Sequence, residues 1–325
     1  GLVTTFAGGS IFSGSEEGNP KVKRRQVIKG VVWEFIERLI NEGGAISPEE
    51  FHEKGYNDAA TFDIEVYKRA ADDIMEEWGI NLLYYTLITG AIMEGDTIKG
   101  VIVENKAGCQ AILADIVIDA TGDGDVAYMA GAPYKIGRNE DGKTQPLTTM
   151  FRIGGMPEVG KEQIEKFSKF PKGKVQPYFL FWEAPEFTYG HVCVFGTPRK
   201  GEYRCEMTRS VDKNGLDPDD LTRAEIECRR QVPRIVEYFR REYPGAENVY
   251  LIDTASMIGV QDSRRITGEY EVTMDDLLNC KEFEDAISLG CYPVDLHNPM
   301  GRGFDMRHIK QLGQAYGVPY RSIVP

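Results

Sequence analysis

The sequence predicts an α/β protein that carries an inserted α+β unit, and three observations predict it. Two amphipathic helical stretches give way near Asn81 to short strand-like runs. A wholly apolar run, Ile116-Val117-Ile118, leads straight into the glycine turn Ala120-Thr121-Gly122-Asp123-Gly124-Asp125, the pattern of a strand covered on both faces in a parallel sheet. From about Asn139 to Ile258, strand-like runs surround one long helical pattern, which marks a second, mixed unit.

Residues 1–20, GLVTTFAGGSIFSGSEEGNP, are glycine-rich and read as a loop. In Gln26 to Asn41 two rows at i, i+4 spacing (Val27, Val31, Phe35, Leu39 and Ile28, Val32, Ile36, Ile40) predict a largely buried helix that Gly43-Gly44 stops. Asp63 to Trp78 is the second helix, with Val66, Ala70, Ile74 and Trp78 inward and Gly79 ending it. The runs LLYYTLITGAIME, TIKGVIVEN and CQAILA, separated by Glu94-Gly95-Asp96 and Lys106-Ala107-Gly108, predict a three-stranded antiparallel meander. Helix, helix, meander, apolar strand and glycine turn form a nucleotide-binding order without its opening unit. Further on, strands at Thr148 to Ile153, Tyr189 to Phe195, Tyr203 to Thr208 and Val249 to Ala255 surround a helix that Asp217-Pro218 can start. Leu221, Cys228, Val232, Ile235 and Phe239 face inward along it, and Pro233 should kink it. Arg264 to Glu271 reads as a strand, Asp275 to Asn279 and Phe283 to Ser288 as short helices, and Cys291 to Met300 as a turn.

At 325 residues, 42% hydrophobic and 27% charged, the chain has the length of about two domains. Its 38 basic and 51 acidic residues leave a net charge of −13, a field that repels polyanions. Beyond Lys21 to Arg25 there is no basic run, which argues against a nucleic-acid partner. No stretch reaches the roughly 18 uninterrupted apolar residues of a membrane span. The six cysteines are scattered, the closest pair being Cys280 and Cys291, a spacing that fits neither zinc nor an iron–sulfur cluster and predicts reduced, buried thiols. With no export signal, the expected location is cytoplasmic.

The glycine turn carries the strongest chemical signal. Glycines at the carboxyl end of a buried strand let backbone approach a flat or anionic ligand, and the following helix offers free N–H groups. An ordinary strand-to-helix turn explains the same residues, and Asp123 and Asp125 serve equally as helix N-caps. Arg264 and Arg265 are adjacent on a strand and so point to opposite faces. Arg264 shares parity with Ile266 and Tyr270, where a guanidinium needs an anionic or flavin partner; Arg265 shares parity with Thr267 and Glu269, where surface ion pairing is the plain alternative. His297, in Asp295-Leu296-His297-Asn298-Pro299, is the candidate for proton transfer, with Asp295 as its orienting group and a structural role as the alternative. His52, His191 and His308 lie in no motif.

The runs FDIEVYKRAADDIMEEWGINLLYY, VIVENKAG and ADIVIDATGDGDVA, with Gln145-Pro146, PGAEN at Pro244 to Asn248, IGVQDSRRITGEY, YPVDLH and the closing VPYRSIVP, resemble the FAD-dependent oxidoreductase family that includes the flavin domains of heterodisulfide reductase. The resemblance implies a partial Rossmann-like FAD-binding domain with a β-meander, an inserted α+β substrate domain closing over the isoalloxazine, and two-electron flavin chemistry on a small-molecule substrate. It divides the chain into 1–138 for FAD, 139–262 for substrate, and 263–325 returning to the FAD-binding domain with the active-site segment. The candidate residues are then Ala120, Thr121, Gly122, Asp123, Gly124 and Asp125 for the cofactor and Arg264, Arg265 and His297 for catalysis. Two departures stand out. The G-x-G-x-x-G turn and its ribose-binding acid are absent, so the expectation is a chain that resembles the interior of a longer enzyme and retains FAD weakly or not at all by itself. Gln261 stands where an arginine is expected. The 4Fe-4S clusters found in relatives lack ligand spacing here. A non-catalytic substrate-binding or assembly module of a larger redox complex is the rival reading; a homo-oligomer or a redox partner protein is left open.

Overall fold

Two longer helices, with the short helix Pro48–Glu53 between them, lie in the first half of the chain, and local chemistry sets their ends. The computed structural model describes residues 12–13, 25–53, 60–170, 173–308 and 314–325. Helix α1 spans Val31–Asn41 and α2 spans Ile64–Glu77. The Asp63 carboxylate caps α2 by accepting from the N–H groups of Glu65 (2.9 Å) and Val66 (3.4 Å). The predicted start of α1 at Gln26 is corrected to Val31: Gly30 has a φ of 64°, which a right-handed helix does not accommodate, and Gln26 pairs instead with Phe12. The two helices meet through Leu39, Phe62 and Ala70, with the Phe35 and Tyr67 rings edge to face at 4.9 Å. Val31 and Val32 are exposed, so the buried face is narrower than its apolar pattern.

The meander forms as the period-two pattern predicts, with β1 (Leu87–Glu94), β2 (Thr97–Asn105) and β3 (Gly108–Leu113) antiparallel in sequence order. Gly100 permits the close approach of β3: a Cβ there would sit 2.1 Å from the carbonyl oxygen of Ile112. The predicted parallel strand at Ile116 to Ile118 does not form. Among the described residues every strand pairing is antiparallel and none involves 116–118, so Ile116 and Ile118 stand 80% and 84% exposed. After the glycine turn come the short helix α3 (Asp125–Met129) and β4 (Tyr134–Ile136).

The largest element is a six-stranded antiparallel sheet. Its strands are β5 (Phe151–Gly154), β6 (Lys174–Gln176), β7 (Phe179–Glu183), β8 (His191–Gly196), β9 (Tyr203–Cys205) and β10 (Tyr250–Thr254), in the order β10-β5-β9-β8-β7-β6. Alternation sorts its residues onto two faces. Phe151, Ile153, Leu180, Trp182, Val192, Val194, Tyr203 and Cys205 point into a core shared with Val232, Ile235, Val236 and Phe239. Those last four belong to the helix Pro218–Glu242, which Asp217 caps and Pro218 opens and which runs on through Pro233. The other face carries Phe179, Phe181, Cys193 and Phe195.

The last third holds three corrections. The strand predicted for Arg264 to Glu271 is β11, Arg264–Ile266, paired with β4. Phe283 to Ser288, predicted helical, contributes instead to β12 (Ala286–Gly290), because pairing with Tyr316–Pro319 overrides a weak local preference. The predicted turn Cys291 to Met300 contains β13 (Val294–His297), hairpin-paired to β14 (Phe304–Arg307), and Asn298 and Gly303 close the loop through a 3.1 Å hydrogen bond.

Candidate functional site

The glycine turn is held from within and from outside. Asp119 is its internal anchor: one oxygen accepts from the N–H (3.0 Å) and hydroxyl (2.7 Å) of Thr121, the other from the N–H of Ala127 (2.9 Å). Burial alone would raise this carboxyl's pKa, but these donors hold it below its ordinary value. The Thr121 hydroxyl in turn accepts from the N–H of Asp125 at 2.9 Å. Gly122 has a φ of 90°, and a Cβ there would meet nothing within 4 Å; Gly124, at 64°, packs against Ile266, 2.7 Å from where its Cβ would be. The N–H groups of Gly122, Asp123 and Gly124 meet no acceptor among the described residues. Ala120 is exposed beside them.

From outside, β11 grips the turn. The Ser263 hydroxyl donates to the Asp123 carboxylate. Arg264 donates from Nη1 to Asp125 Oδ1 at 2.6 Å and to the Asp123 carbonyl at 3.1 Å, and its guanidinium stacks 4.3 Å from the Tyr128 ring centroid. Arg264 therefore meets its anion within the turn. Arg265 points the other way, donating to the Gly137 carbonyl (2.6 Å) and pairing with Asp262 (3.3 Å).

His297 lies elsewhere, at the end of β13 and buried, in a cluster on the aromatic face of the large sheet. Its Nδ1 is 2.8 Å from Arg209 Nη2. Arginine only donates, so Nδ1 accepts and the neutral ring carries its proton on Nε2. Burial first, and the Arg209 charge second, push the imidazole pKa below its ordinary value. Glu206 Oε1 lies 3.7 Å from both Nε2 of His297 and Nη2 of Arg209. Arg209 also donates to the Thr148 hydroxyl (2.7 Å) and stacks over Tyr189 at 4.0 Å. Asp295, the expected orienting group, faces Tyr292 instead (3.3 Å), and burial raises its carboxyl pKa.

No hydrogen bond or ion pair joins Arg264 to His297 among the described residues. His297 is connected instead to Arg265: the Gln145 side-chain carbonyl accepts from the N–H of His297 (2.8 Å), and the Gln145 N–H donates to Asp262 (3.4 Å), whose other oxygen pairs with Arg265. Sequence reasoning missed Arg209, Glu206 and Asp262. Gln145 and Asp262 left only a trace, in the Gln145-Pro146 dipeptide and the run IGVQDSRRITGEY. Among the described residues, no group of three or more His, Cys, Asp or Glu side chains is arranged to hold a metal ion, and no helix is long and apolar enough to cross a membrane.

A sequence profile described as FAD dependent oxidoreductase matches residues 1–325, and the chain belongs to that family. Among solved structures it is similar to a geranylgeranyl bacteriochlorophyll reductase-like protein from Thermoplasma acidophilum, at 16% identity over 64% of this chain and 44% of that one, with a TM-score of 0.40. It is also similar to p-nitrophenol 4-monooxygenase from Pseudomonas putida, at 14% identity over 70% and 50% of the two chains and a TM-score of 0.40, and to L-proline dehydrogenase from P. horikoshii, at 17% over 83% and 59% and a TM-score of 0.36. The chain spans about half the length of the first two. No curated protein matches it. Among the described residues, the open backbone at Gly122 and the N–H groups of 122–124, which meet no acceptor there, have the chemistry to meet a dinucleotide's anionic or carbonyl edge.

Proposed function

We propose that the chain works in a flavoenzyme that carries out two-electron oxidation or reduction of a small organic molecule. The observation that carries this reading is the glycine turn, open to a ligand at Gly122 and clamped from behind by Ser263 and Arg264, in a chain of the FAD dependent oxidoreductase family. Bound FAD supplies the redox chemistry. Ala120, Thr121, Gly122, Asp123, Gly124 and Asp125 hold it through backbone, and Arg264 is a positioning residue that keeps the turn in shape. The neutral His297 holds a proton on Nε2 within the Arg209–Glu206 cluster, the place from which a proton can be given or taken. In this reading 1–138 serves the cofactor, 139–262 serves the substrate, and 263–325 returns to the cofactor domain and carries the active-site segment.

The test is FAD titration of the purified protein, followed by flavin fluorescence and absorbance, for the wild type and for Gly122→Val. The side chain fills the open space at a φ of 90°, so affinity should fall at least tenfold. Equal, saturable binding in the wild type and the variant refutes the reading.

A further inference from the structure

Arg204 is 5% exposed, and among the described residues no carboxylate lies within ion-pairing distance of it. Burying a guanidinium without a counter-ion is expensive, and the chain does not do so elsewhere on this sheet. Arg209, at 2% exposure, has Glu206. Arg152, directly opposite Arg204 across the β5–β9 pairing, has both Glu202 (2.8 Å) and Asp253. The acids nearest Arg204 along its strand are thus committed to its neighbours, and a second cation stands beside it.

The contacts Arg204 does make are soft. Its guanidinium lies 4.3 Å from the centroid of the Phe195 ring, and Nη1 rests 2.9 Å from the thioether sulfur of Met150. Nε meets no acceptor, and no hydrogen bond engages Nη2. The unclaimed atoms are therefore the Nε/Nη2 side, the edge of the fork that matches the two oxygens of a carboxylate in parallel. From Phe195, beside the guanidinium, an aromatic row runs along the same face: Phe179 is 5.2 Å from Phe195 and 5.9 Å from Phe181, and Phe181 is 5.9 Å from Phe304 of the covering hairpin. A multiply charged phosphate would find one guanidinium and aromatic rings; a monoanion with a flat apolar body finds a partner for each of its parts.

We propose that the Nε/Nη2 edge of Arg204 receives the carboxylate of a flat, apolar-bodied organic acid, whose body lies along Phe179, Phe181 and Phe195, and that this acid is the substrate of the enzyme. The word substrate rests on the flavoenzyme reading; the binding does not.

The experiment is titration calorimetry of the purified protein with benzoate, and with benzamide as its uncharged counterpart, at constant ionic strength. Benzoate should bind saturably and benzamide at least tenfold more weakly. Arg204→Met, which places an apolar chain beside Met150 and Phe195, should bind benzoate at least tenfold more weakly while melting at the wild-type temperature or above, since it removes an unpaired buried charge. Arg204→Lys keeps the charge without the fork and should also weaken benzoate at least tenfold. Arg223→Met, on an exposed helix face, should bind as the wild type does. No saturable benzoate binding, equal binding of benzamide, or wild-type affinity in either Arg204 variant overturns the proposal. Benzoate binding that follows this pattern alongside equal FAD binding in the wild type and Gly122→Val would sink the flavoenzyme reading and leave the anion site standing; loss of FAD in Gly122→Val without benzoate discrimination would do the reverse.

Discussion

Replacing Arg264 with alanine tests whether the glycine turn is a clamped structure. The side chain is 13% exposed and its partner Asp125 39% exposed. One charge-assisted hydrogen bond of 2.6 Å, one bond to the Asp123 carbonyl and a stack on Tyr128 are lost together. A hydrogen bond to a charged group contributes about 1.5–3 kcal/mol when buried. Asp125 reaches water once Arg264 is gone, which places this one at the low end. The stack adds about 0.5–1 kcal/mol. The sum is about 2 kcal/mol of unfolding free energy, read as a lowered midpoint in urea. Arg265→Ala is the internal comparison: that side chain is 46% exposed and its pairing with Asp262 is long at 3.3 Å, so its loss should stay below about 1 kcal/mol. FAD affinity should fall in Arg264→Ala and hold in Arg265→Ala, because only the former touches the turn. Equal destabilisation by the two variants, or a change within about 0.5 kcal/mol for Arg264→Ala, would refute the clamp.

His297 gives the protein a pH signature. Burial, and then Arg209, push its pKa below the ordinary 6.5, so the unfolded chain takes up a proton that the folded chain refuses; stability is full above about pH 6.5 and declines as the pH falls through the window beneath it. Asp295, raised by burial from 3.8, has the opposite sign, favouring the folded state as it protonates. His297→Gln keeps an acceptor for Arg209 but cannot titrate, and it should flatten the slope of unfolding free energy between about pH 5 and pH 7; an unchanged slope refutes the assignment. The thiols give a second signature: all six cysteines are thiols, Cys109 exposed and the other five buried, with burial raising the pKa of Cys193 and Cys205. A thiol reagent should modify one site rapidly in the native protein and six in denaturant, and fewer than six in denaturant would reveal a disulfide.

How far the fold could be read ahead depended on the range of the forces that decide each element. Helix α2 was legible almost to the residue because its start is written in Asp63 and its end in Gly79, within one turn of the helix itself. The meander was legible because two tight turns fix its register. Ala286–Gly290 was not, since its strand character comes from Tyr316–Pro319, some thirty residues on. Ile116 to Ile118 shows the opposite failure: an apolar pattern states what a segment would bury, and the neighbours decide whether it does. At the candidate site the glycine turn was readable and so was the divergence of Arg264 from Arg265. The partner of His297 was not, because Asp295 is adjacent in sequence while Arg209, 88 residues away, is adjacent in space.

The strand β9 and its continuation, Tyr203-Arg204-Cys205-Glu206-Met207, show why the buried charges escaped notice. Alternation is plain there, with Tyr203, Cys205 and Met207 in the core beneath the long helix. In an antiparallel sheet covered on one side, the intervening polar residues are ordinarily the solvent face, and a sequence reader passes over them. Here the second face is covered too: the Thr61 hydroxyl donates to the Gly196 carbonyl at 2.8 Å, and Phe304 of the β13–β14 hairpin lies against Phe181 and His191. The same alternation that marks a half-exposed strand therefore places Arg204 and Glu206 in the interior, on a face lined with aromatic rings. What separates function from scaffold on such a face is the balance of charge around each buried group, which depends on strands far apart in sequence. Arg152 and Arg209 have counter-ions there; Arg204 has a free fork.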